Sequence, residues 1–328
     1  MKPVRWGILS TANIFKKAFL VPMRKSKISE LHGICSRNAE TAESAAAEFG
    51  IPNHYPSYEA MVADPDIEAV YIPLPNNLHL EWIKKCADEG KHILCEKPIT
   101  MDADEAREAA EYCKSRGVLL MEAFMYRYHP QWRRARELVD TGQIGIVKSV
   151  HTVFSYNNND PKNIRNIPEL GGGALYDIGC YAISVARFIF DREPSKAVSL
   201  INRHPDFGTD MLTSGILDFG DGHSVFTVGT LNFPCQKVDI IGTGGSIHIK
   251  IPFNSYTDVP MEITVVTGVG SREVKFHPAD QYGIQVDTFS SAVRNGTPEP
   301  TSVEDAVNNM KVIDAVFRSE KSGGYETI

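Results

Sequence analysis

The chain has 328 residues, of which 42% are hydrophobic and 23% charged, so it is long enough for two globular domains. Its formal net charge of −7 argues against a protein that binds nucleic acid through the phosphate backbone. The six cysteines are scattered without a C-x-x-C pair, the N-terminus shows no secretory signal, and the longest apolar runs have the length of strands. We therefore expect a cytoplasmic protein with reduced thiols that binds no metal and no membrane.

The first third of the chain alternates between short apolar runs and stretches rich in Ala, Glu and Lys. The apolar runs predict strands at residues 4–9, 31–35, 69–72, 92–95 and 118–121. The intervening stretches predict helices at residues 41–49, 80–89 and 103–116. Strands that alternate with helices build a parallel sheet, so residues 1–123 are predicted to form a Rossmann-like domain.

The remaining residues, 124–328, follow a different pattern. A helix at 130–140, a strand at 147–155, a polar stretch at 156–166 and an apolar helix at about 174–190 come first. Consecutive strands are then predicted at 197–202, 213–219, 224–231, 237–241, 246–251, 261–267 and 273–277, before two closing helices at 282–294 and 303–319. Strands joined by short turns indicate a large, mainly antiparallel sheet, and the glycine run at 242–245 is predicted to be a hairpin turn. The second domain, residues 124–328, is therefore predicted to be α+β.

The segment at residues 7–15, GILSTANIF, lies where a first strand leads into a helix and where a dinucleotide site carries G-x-G-x-x-G. Its glycine slots hold Ser10, Ala12 and Phe15 instead. Small residues in the first two slots allow close approach of a pyrophosphate if their φ angles are negative, whereas Phe15 requires looser packing of the helix on the strand. The residues alone leave open whether this is a nucleotide site or an ordinary turn.

The end of the second strand bears on the choice of cofactor. An NAD-selective site usually carries an acid there for the adenosine ribose, but this chain has Ser36 and Arg37, and its first carboxylate is Glu40. An arginine fork and a hydroxyl suit a 2′-phosphate, so NADP(H) is predicted in preference to NAD(H). The alternative interpretation of Arg37 is an exposed arginine before a helix.

Three further motifs carry a family resemblance. They are PLPNNLH at residues 73–79, CEKP at 95–98 and LGGGALYDIGCY at 170–181. Together they resemble the glucose–fructose oxidoreductase and inositol dehydrogenase family, Gfo/Idh/MocA, over nearly the whole chain. FMYRYHP at 124–130 and Tyr181 are similar to the branch of aldose dehydrogenases and dimeric dihydrodiol dehydrogenases. The resemblance implies a cis Lys97–Pro98 bond and a homodimer or homotetramer formed through the C-terminal sheet.

The resemblance also implies where the cofactor binds. In this interpretation the degenerate loop is still a nucleotide site, and the ends of the second, third and fourth long strands complete it. The predicted cofactor-binding residues are Ser10, Thr11, Ala12, Asn13, Ile14, Ser36, Arg37, Leu74, Asn76, His79, Glu96 and Lys97.

The predicted catalytic residues are Lys97, Asp177 and Tyr181. Asp177 and Tyr181 are four residues apart on a predicted helix, about 40° around its axis, and Lys97 ends a parallel strand, where ligands bind in such sheets. We expect Tyr181 to exchange a proton with the substrate, Lys97 to favour its phenolate and anchor the nicotinamide ribose, and Asp177 to orient them. Whether Tyr181 or Lys97 transfers the proton stays open. Residues expected to reach substrate hydroxyls are Arg127, Arg165 and Asn166, and Tyr282 is expected to fold over the cofactor.

These features predict an NADP-dependent oxidoreductase that transfers a hydride between nicotinamide and a sugar, a polyol or a keto-sugar. One alternative is a trans-dihydrodiol dehydrogenase. Another is a non-catalytic NADP-binding regulator on the same fold, which would be expected to lose Lys97 or Tyr181, although this chain retains both. A third is a family member that keeps its nicotinamide bound and uses a transient oxidation to run a net hydrolysis or epimerisation.

Overall fold

The computed structural model describes residues 2–328, which separate into two compact units. The first unit contains residues 2–125 and Tyr282–Val307, and the second contains Tyr126–Gln281 and Asn308–Ile328. The residues 282–307 therefore pack with the first sheet, although they follow the second domain in the chain.

The first unit is built on a six-stranded sheet in the order β3-β2-β1-β4-β5-β6 with every described pair parallel. Its strands are β1 (Val4–Leu9), β2 (Ser29–Cys35), β3 (Asn53–Tyr55), β4 (Ala69–Ile72), β5 (His92–Cys95) and β6 (Leu120–Glu122). Its helices are Leu20–Lys25, Ala39–Glu48, Tyr58–Val62, His79–Asp88, Ala103–Arg116 and Gln281–Asn295. This confirms the predicted Rossmann-like parallel sheet.

Side-chain caps determine where several of these helices begin. Asn38, Ser57 and Asp102 each accept a hydrogen bond from the backbone N–H three residues later, at 2.8–3.1 Å. Each cap satisfies one N–H group that has no acceptor inside its own helix. The helix Gln281–Asn295 is held to β1 by the indole N–H of Trp6, which donates to Ser290 Oγ at 3.0 Å.

The second unit is built on a nine-stranded sheet in the order β14-β13-β12-β11-β7-β10-β9-β8-β15. Its strands are β7 (Val147–Asn157), β8 (Lys196–Arg203), β9 (Asp210–Asp218), β10 (His223–Gly229), β11 (Leu231–Gly242), β12 (Gly245–Ile249), β13 (Met261–Thr267), β14 (Gly270–Phe276) and β15 (Glu326–Thr327). The β7–β10 pair is parallel and the other described pairs are antiparallel, which confirms the predicted large, mainly antiparallel sheet. The glycine run at 242–245 joins β11 to β12 as the predicted hairpin.

The principal helices of the second unit are Pro130–Asp140 and Cys180–Phe190, and the helix Val303–Ser322 ends in it. Most of Cys180–Phe190 is buried. Among the described residues, Pro168–Phe190 has the length and composition to cross a membrane, with a mean hydropathy of 1.3, so the expectation that every apolar run is strand-length was wrong. Because 78% of its 18-residue apolar window is buried inside the structure, the segment has the burial of a core helix.

Candidate active site

The loop after β1 has an unusual backbone. Ser10, in the first glycine slot, has a φ of 113°, so the condition of a negative φ angle is not met at this position. Its hydroxyl accepts a hydrogen bond from the Ala12 N–H at 3.2 Å, which closes the turn. The chain then enters a helix at Asn13. Ser10 thus adopts a conformation that glycine would adopt without strain.

The backbone at Phe15 shows how a large residue fits the third glycine slot. It begins a wide, π-helical turn, Phe15–Phe19, and its fully buried ring meets Phe49 with the centroids 6.0 Å apart. The wide turn supplies the looser packing that the sequence required. The first N–H groups of the helix, at Asn13 and Ile14, lie where an α-helix offers no internal acceptor, which is how such loops bind phosphate. The residues present therefore fit a dinucleotide.

Arg37 follows β2 and is exposed, as Glu40 is. Burial raises the pKa of Tyr58, and the adjacent Arg37 guanidinium acts in the opposite direction. The Arg37 guanidinium therefore lies close to the phenol of Tyr58, on the helix Tyr58–Val62. The sequence did not predict this contact.

The segments after β4 and β5 are tied together by His79. Its ring is fully buried, with Nδ1 3.0 Å from the Pro98 carbonyl oxygen and Nε2 2.9 Å from the Leu74 carbonyl oxygen. Burial lowers the pKa of His79, and a neutral ring donates to one of these carbonyls at a time. The Lys97–Pro98 bond is cis, as the resemblance implied.

Glu96 and Asn76 lie at the same ends of the sheet. The Tyr71 hydroxyl donates to Glu96 Oε1 at 2.6 Å, and the Ile99 N–H after the cis bond donates to Glu122 Oε1 at 2.9 Å. Asn76 begins a short 3₁₀ turn, Asn76–Leu78. The first bond holds the Glu96 side chain before Lys97, and the second holds the backbone after it. The ring of Tyr282 contacts Phe19 within the first unit, with the centroids 5.2 Å apart.

In the second unit, Asp177 lies in a π-helical turn, Leu175–Gly179, so the predicted helix at 174–190 is not α-helical at its start. The four-residue spacing from Asp177 to Tyr181 is therefore not the α-helical one. Asp177 Oδ2 accepts a hydrogen bond from the Tyr156 hydroxyl at 2.7 Å and lies 2.9 Å from Arg165 Nε. Burial, with the Asp177 charge, raises the pKa of Tyr156. Arg165 thus forms an ion pair with Asp177.

Tyr181 is buried among aromatic rings. Its ring centroid lies 5.1 Å from that of Phe253, 5.9 Å from that of Phe154 and 6.0 Å from that of Tyr126. Arg127 donates to Ser184 Oγ at 2.8 Å, and Asn166 donates to the carbonyl oxygens of Asn158 and Asp160. These contacts place Arg127 and Asn166 in the packing of the unit, and their predicted contact with substrate stays a prediction.

Asp210 is a site residue that sequence reasoning missed. Its Oδ2 accepts hydrogen bonds from the Leu175 N–H at 2.6 Å and the Thr213 hydroxyl at 2.9 Å, so it caps the helical segment that carries Asp177. Burial raises the pKa of Asp210 to about 6. A side chain at Gly173, which has a φ of 123°, would overlap the Asp210 carboxylate. The signal in the sequence was a glycine run before a helix with no capping side chain of its own.

Among the described residues, His32, Asp64 and Asp66 bring one potential metal-ligand atom each within 4.8 Å of one another. Asp66 pairs with Arg5, and Asp64 accepts a hydrogen bond from the Tyr55 hydroxyl. Because these contacts already use the carboxylates, we assign no metal to this group.

Known proteins and family models match most of the chain. Residues 4–124 match the sequence model described as "Oxidoreductase family, NAD-binding Rossmann fold", and residues 132–248 match the "GFO/IDH/MocA C-terminal domain". The D-xylose 1-dehydrogenase (NADP(+)) 2 of Haloferax volcanii is 39% identical over 97% of this chain and 98% of its own. The trans-1,2-dihydrobenzene-1,2-diol dehydrogenase of Xenopus laevis is 32% identical over 83% of this chain and 80% of its own.

The crystal structure of a 3-ketoreductase from Actinomadura kijaniata in complex with NADP and TDP-benzene has the same fold. It superposes with a TM-score of 0.92 at 27% identity, over 97% of this chain and 98% of that one. The two matched ranges include the motifs at residues 73–79, 95–98 and 170–181. The chain therefore belongs to the Gfo/Idh/MocA family of NAD(P)-binding oxidoreductases.

Proposed function

We propose that this protein is an NADP-dependent oxidoreductase that transfers a hydride between nicotinamide and a carbon of a sugar, a related polyol or a keto-sugar. One observation carries the substrate class. Asp177 is a carboxylate whose side chain is 13% exposed, and two donors, Tyr156 and Arg165, direct it. A carboxylate fixed in this way accepts hydrogen bonds from substrate hydroxyls, which sugars and polyols offer in number.

The roles follow from the chemistry of each side chain. The nicotinamide, when bound, supplies or accepts the hydride. We propose that Tyr181 exchanges the proton with the substrate oxygen, because a phenol can both donate and accept a proton and a positive charge favours its phenolate. We assign Lys97 two roles: it anchors the nicotinamide ribose, and it supplies a positive charge for the reaction. Residues 1–123 bind the cofactor, and residues 124–328 bind the substrate.

The preference for NADP rests on the end of β2. Arg37 is exposed there, and the intervening residues offer no carboxylate before Glu40. The guanidinium fork pairs with a 2′-phosphate, and Ser36 adds a hydroxyl. The relative from Haloferax volcanii is named for NADP(+), and the ketoreductase structure contains NADP.

The second candidate is a trans-dihydrodiol dehydrogenase. The relative from Xenopus laevis favours it, because that enzyme carries this activity in its name and is 32% identical to this chain over 80% of its own length.

We further propose that the second unit pairs with another copy of the chain through the outer face of its sheet. On that face Val198 lies beside Ile216, and Ile216 beside Val225. Leu200, two residues after Val198, is 78% exposed. An exposed apolar patch of this kind is typical of an interface. Light scattering should give a dimer or tetramer, and a Leu200→Glu variant should dissociate it; a monomeric wild type would contradict the proposal.

The cysteines fit a reducing compartment. All six in the described chain are free and five of them are buried, as expected of thiols that stay reduced. We propose that the protein works in the cytoplasm.

The test is turnover. NADPH and NADH absorbance should be followed in both directions with aldoses, ketoses, inositols and trans-dihydrodiols as substrates. We expect oxidation of an aldose with NADP. A Lys97→Met variant should lose turnover and bind NADPH within a few-fold of the wild type. A Tyr181→Phe variant should lose turnover with NADPH binding unchanged, and Tyr325→Phe is the matched exposed control. Turnover of the aromatic diol alone favours the second candidate, and full activity of both site variants would refute the assigned roles.

A further inference from the structure

Asp177 receives two donors that come from different elements of the second unit. Tyr156 lies at the end of β7, and Arg165 lies in the short turn Ile164–Asn166. Both contact the same oxygen, Oδ2, at 2.7 Å and 2.9 Å. A carboxylate held by a hydroxyl and a guanidinium has little freedom to rotate, and the shared oxygen orients the other one.

The strand β7 places Tyr156 for this role. Residues two apart on a strand point to the same face, and Phe154 and Tyr156 form such a pair. Phe154 contacts the ring of Tyr181, with the centroids 5.9 Å apart, while Tyr156 bonds Asp177. Successive positions on one strand therefore support the two residues to which we assign the chemistry in this unit.

Arg165 is placed by the glycine run. The Gly173 N–H donates to the Arg165 carbonyl oxygen at 2.9 Å, and a side chain at Gly172 would lie only 2.6 Å from that oxygen. The backbone of Arg165 can approach the turn this closely because residue 172 is glycine. The glycines next to Asp177 thus bring its guanidinium partner into reach.

We propose that Tyr156 and Arg165 are positioning residues that hold the Asp177 carboxylate in the orientation needed for the substrate. Neither is assigned contact with the reacting atoms. The inference rests on the proposed function, because it assumes that Asp177 acts in turnover.

The first test is Tyr156→Phe, which removes the hydroxyl and keeps the ring. We expect kcat to fall by about 10- to 100-fold, the range for losing one hydrogen bond to a charged group, with the KM for NADPH unchanged. Tyr55→Phe is the matched control, because it removes a phenol–carboxylate hydrogen bond, to Asp64, in the first unit. It should leave kcat within about twofold of the wild type.

A double-mutant cycle separates positioning from general stabilisation. If Tyr156 acts through Asp177, the Tyr156→Phe change should cost nothing further in an Asp177→Asn background, whereas independent effects would multiply. The Arg165→Ala variant should regain activity when guanidinium ion is added, and Arg165→Lys should be less active than the wild type. A role in folding alone would predict neither result.

The outcomes distinguish this inference from the proposed function. An active wild type whose Tyr156→Phe variant keeps full kcat, or whose losses multiply in the cycle, overturns the positioning role alone. A wild type that binds NADP and turns over no substrate overturns the proposed function and this inference together. Loss of kcat in Tyr156→Phe, with no further loss in the Asp177→Asn background, supports it.

Discussion

The Asp210 carboxyl makes the stability of the second unit depend on pH. Its pKa is raised from 3.8 to about 6 because the group is buried, against hydrogen bonds from Leu175 and Thr213 and the charge of Arg203 that favour ionisation. The folded state therefore holds the proton more tightly than the unfolded state. The contribution to stability is full below pH 4 or so and is lost as the pH rises through about 6.

The size of the effect follows from the shift. About 2 pH units at about 1.4 kcal/mol each give about 3 kcal/mol of unfolding free energy between the two limits. An Asp210→Asn variant keeps an oxygen that accepts from the Leu175 N–H and the Thr213 hydroxyl, but it does not titrate. Its unfolding free energy, relative to that of the wild type, should therefore rise by about 3 kcal/mol on going from about pH 4 to about pH 7.

The assay is urea unfolding of both proteins at a series of pH values, followed by circular dichroism. The difference between the two unfolding free energies is plotted against pH, so that groups common to both proteins cancel. Ser199→Ala, which removes a buried hydroxyl elsewhere in the unit, is the control for a loss that does not depend on pH. Parallel curves for Asp210→Asn and the wild type would refute the reasoning.

Three further predictions concern the first unit. Ser10→Gly should be more stable than Ser10→Ala by about 1 kcal/mol in thermal unfolding, since only glycine relieves the positive φ; equal stabilities would contradict the strain. Arg294→Lys should destabilise the protein by about 1–3 kcal/mol, because it breaks the paired bonds of 2.6 and 2.7 Å to Glu68. Arg294 and Arg5 lower the pKa of Glu68 to about 2, so this loss should shrink as the pH falls from about 4.5 towards 2, and a loss independent of pH would argue against the pair. Arg37→Ala should weaken NADPH binding far more than NADH binding in fluorescence titrations, and an equal loss would refute the 2′-phosphate role.

The main architecture could be predicted because it depends on local periodicity. Buried strands such as Ala69–Ile72 and His92–Cys95 read as short apolar runs, and the structure gives both with the predicted bounds. The strand Asn53–Tyr55 was missed, since three half-exposed polar and aromatic residues carry no such pattern. The helix Tyr58–Val62 was missed as well, because five residues are too few to show a helical period.

The wide turns could not be predicted, and the reason is the same in both units. Phe15–Phe19 and Leu175–Gly179 each insert one residue into a helix that the spacing treats as regular. Such a turn is stabilised by the packing around it, as Phe15 shows by lying against Phe49. Sequence spacing therefore found Asp177 and Tyr181 but not the angle between them.

The glycine run at 171–173 shows what a sequence motif cannot predict. The motif identified positions that need glycine. Two of the groups that leave no room for a side chain at these positions come from other parts of the chain. One is the Asp210 carboxylate, 35 residues from the Leu175 N–H it accepts from, and the other is the carbonyl oxygen of Arg165. Neither partner carries a pattern of its own, because a single polar residue at the start of a strand or in a turn looks like any other. In both cases the partner bears on Asp177, by capping its helical segment or by bringing a guanidinium to its carboxylate. The glycines are thus explained by the packing that positions Asp177, and this explanation fails if Asp210→Ala, which removes the cap, and Arg165→Ala leave the turnover of an active enzyme unchanged.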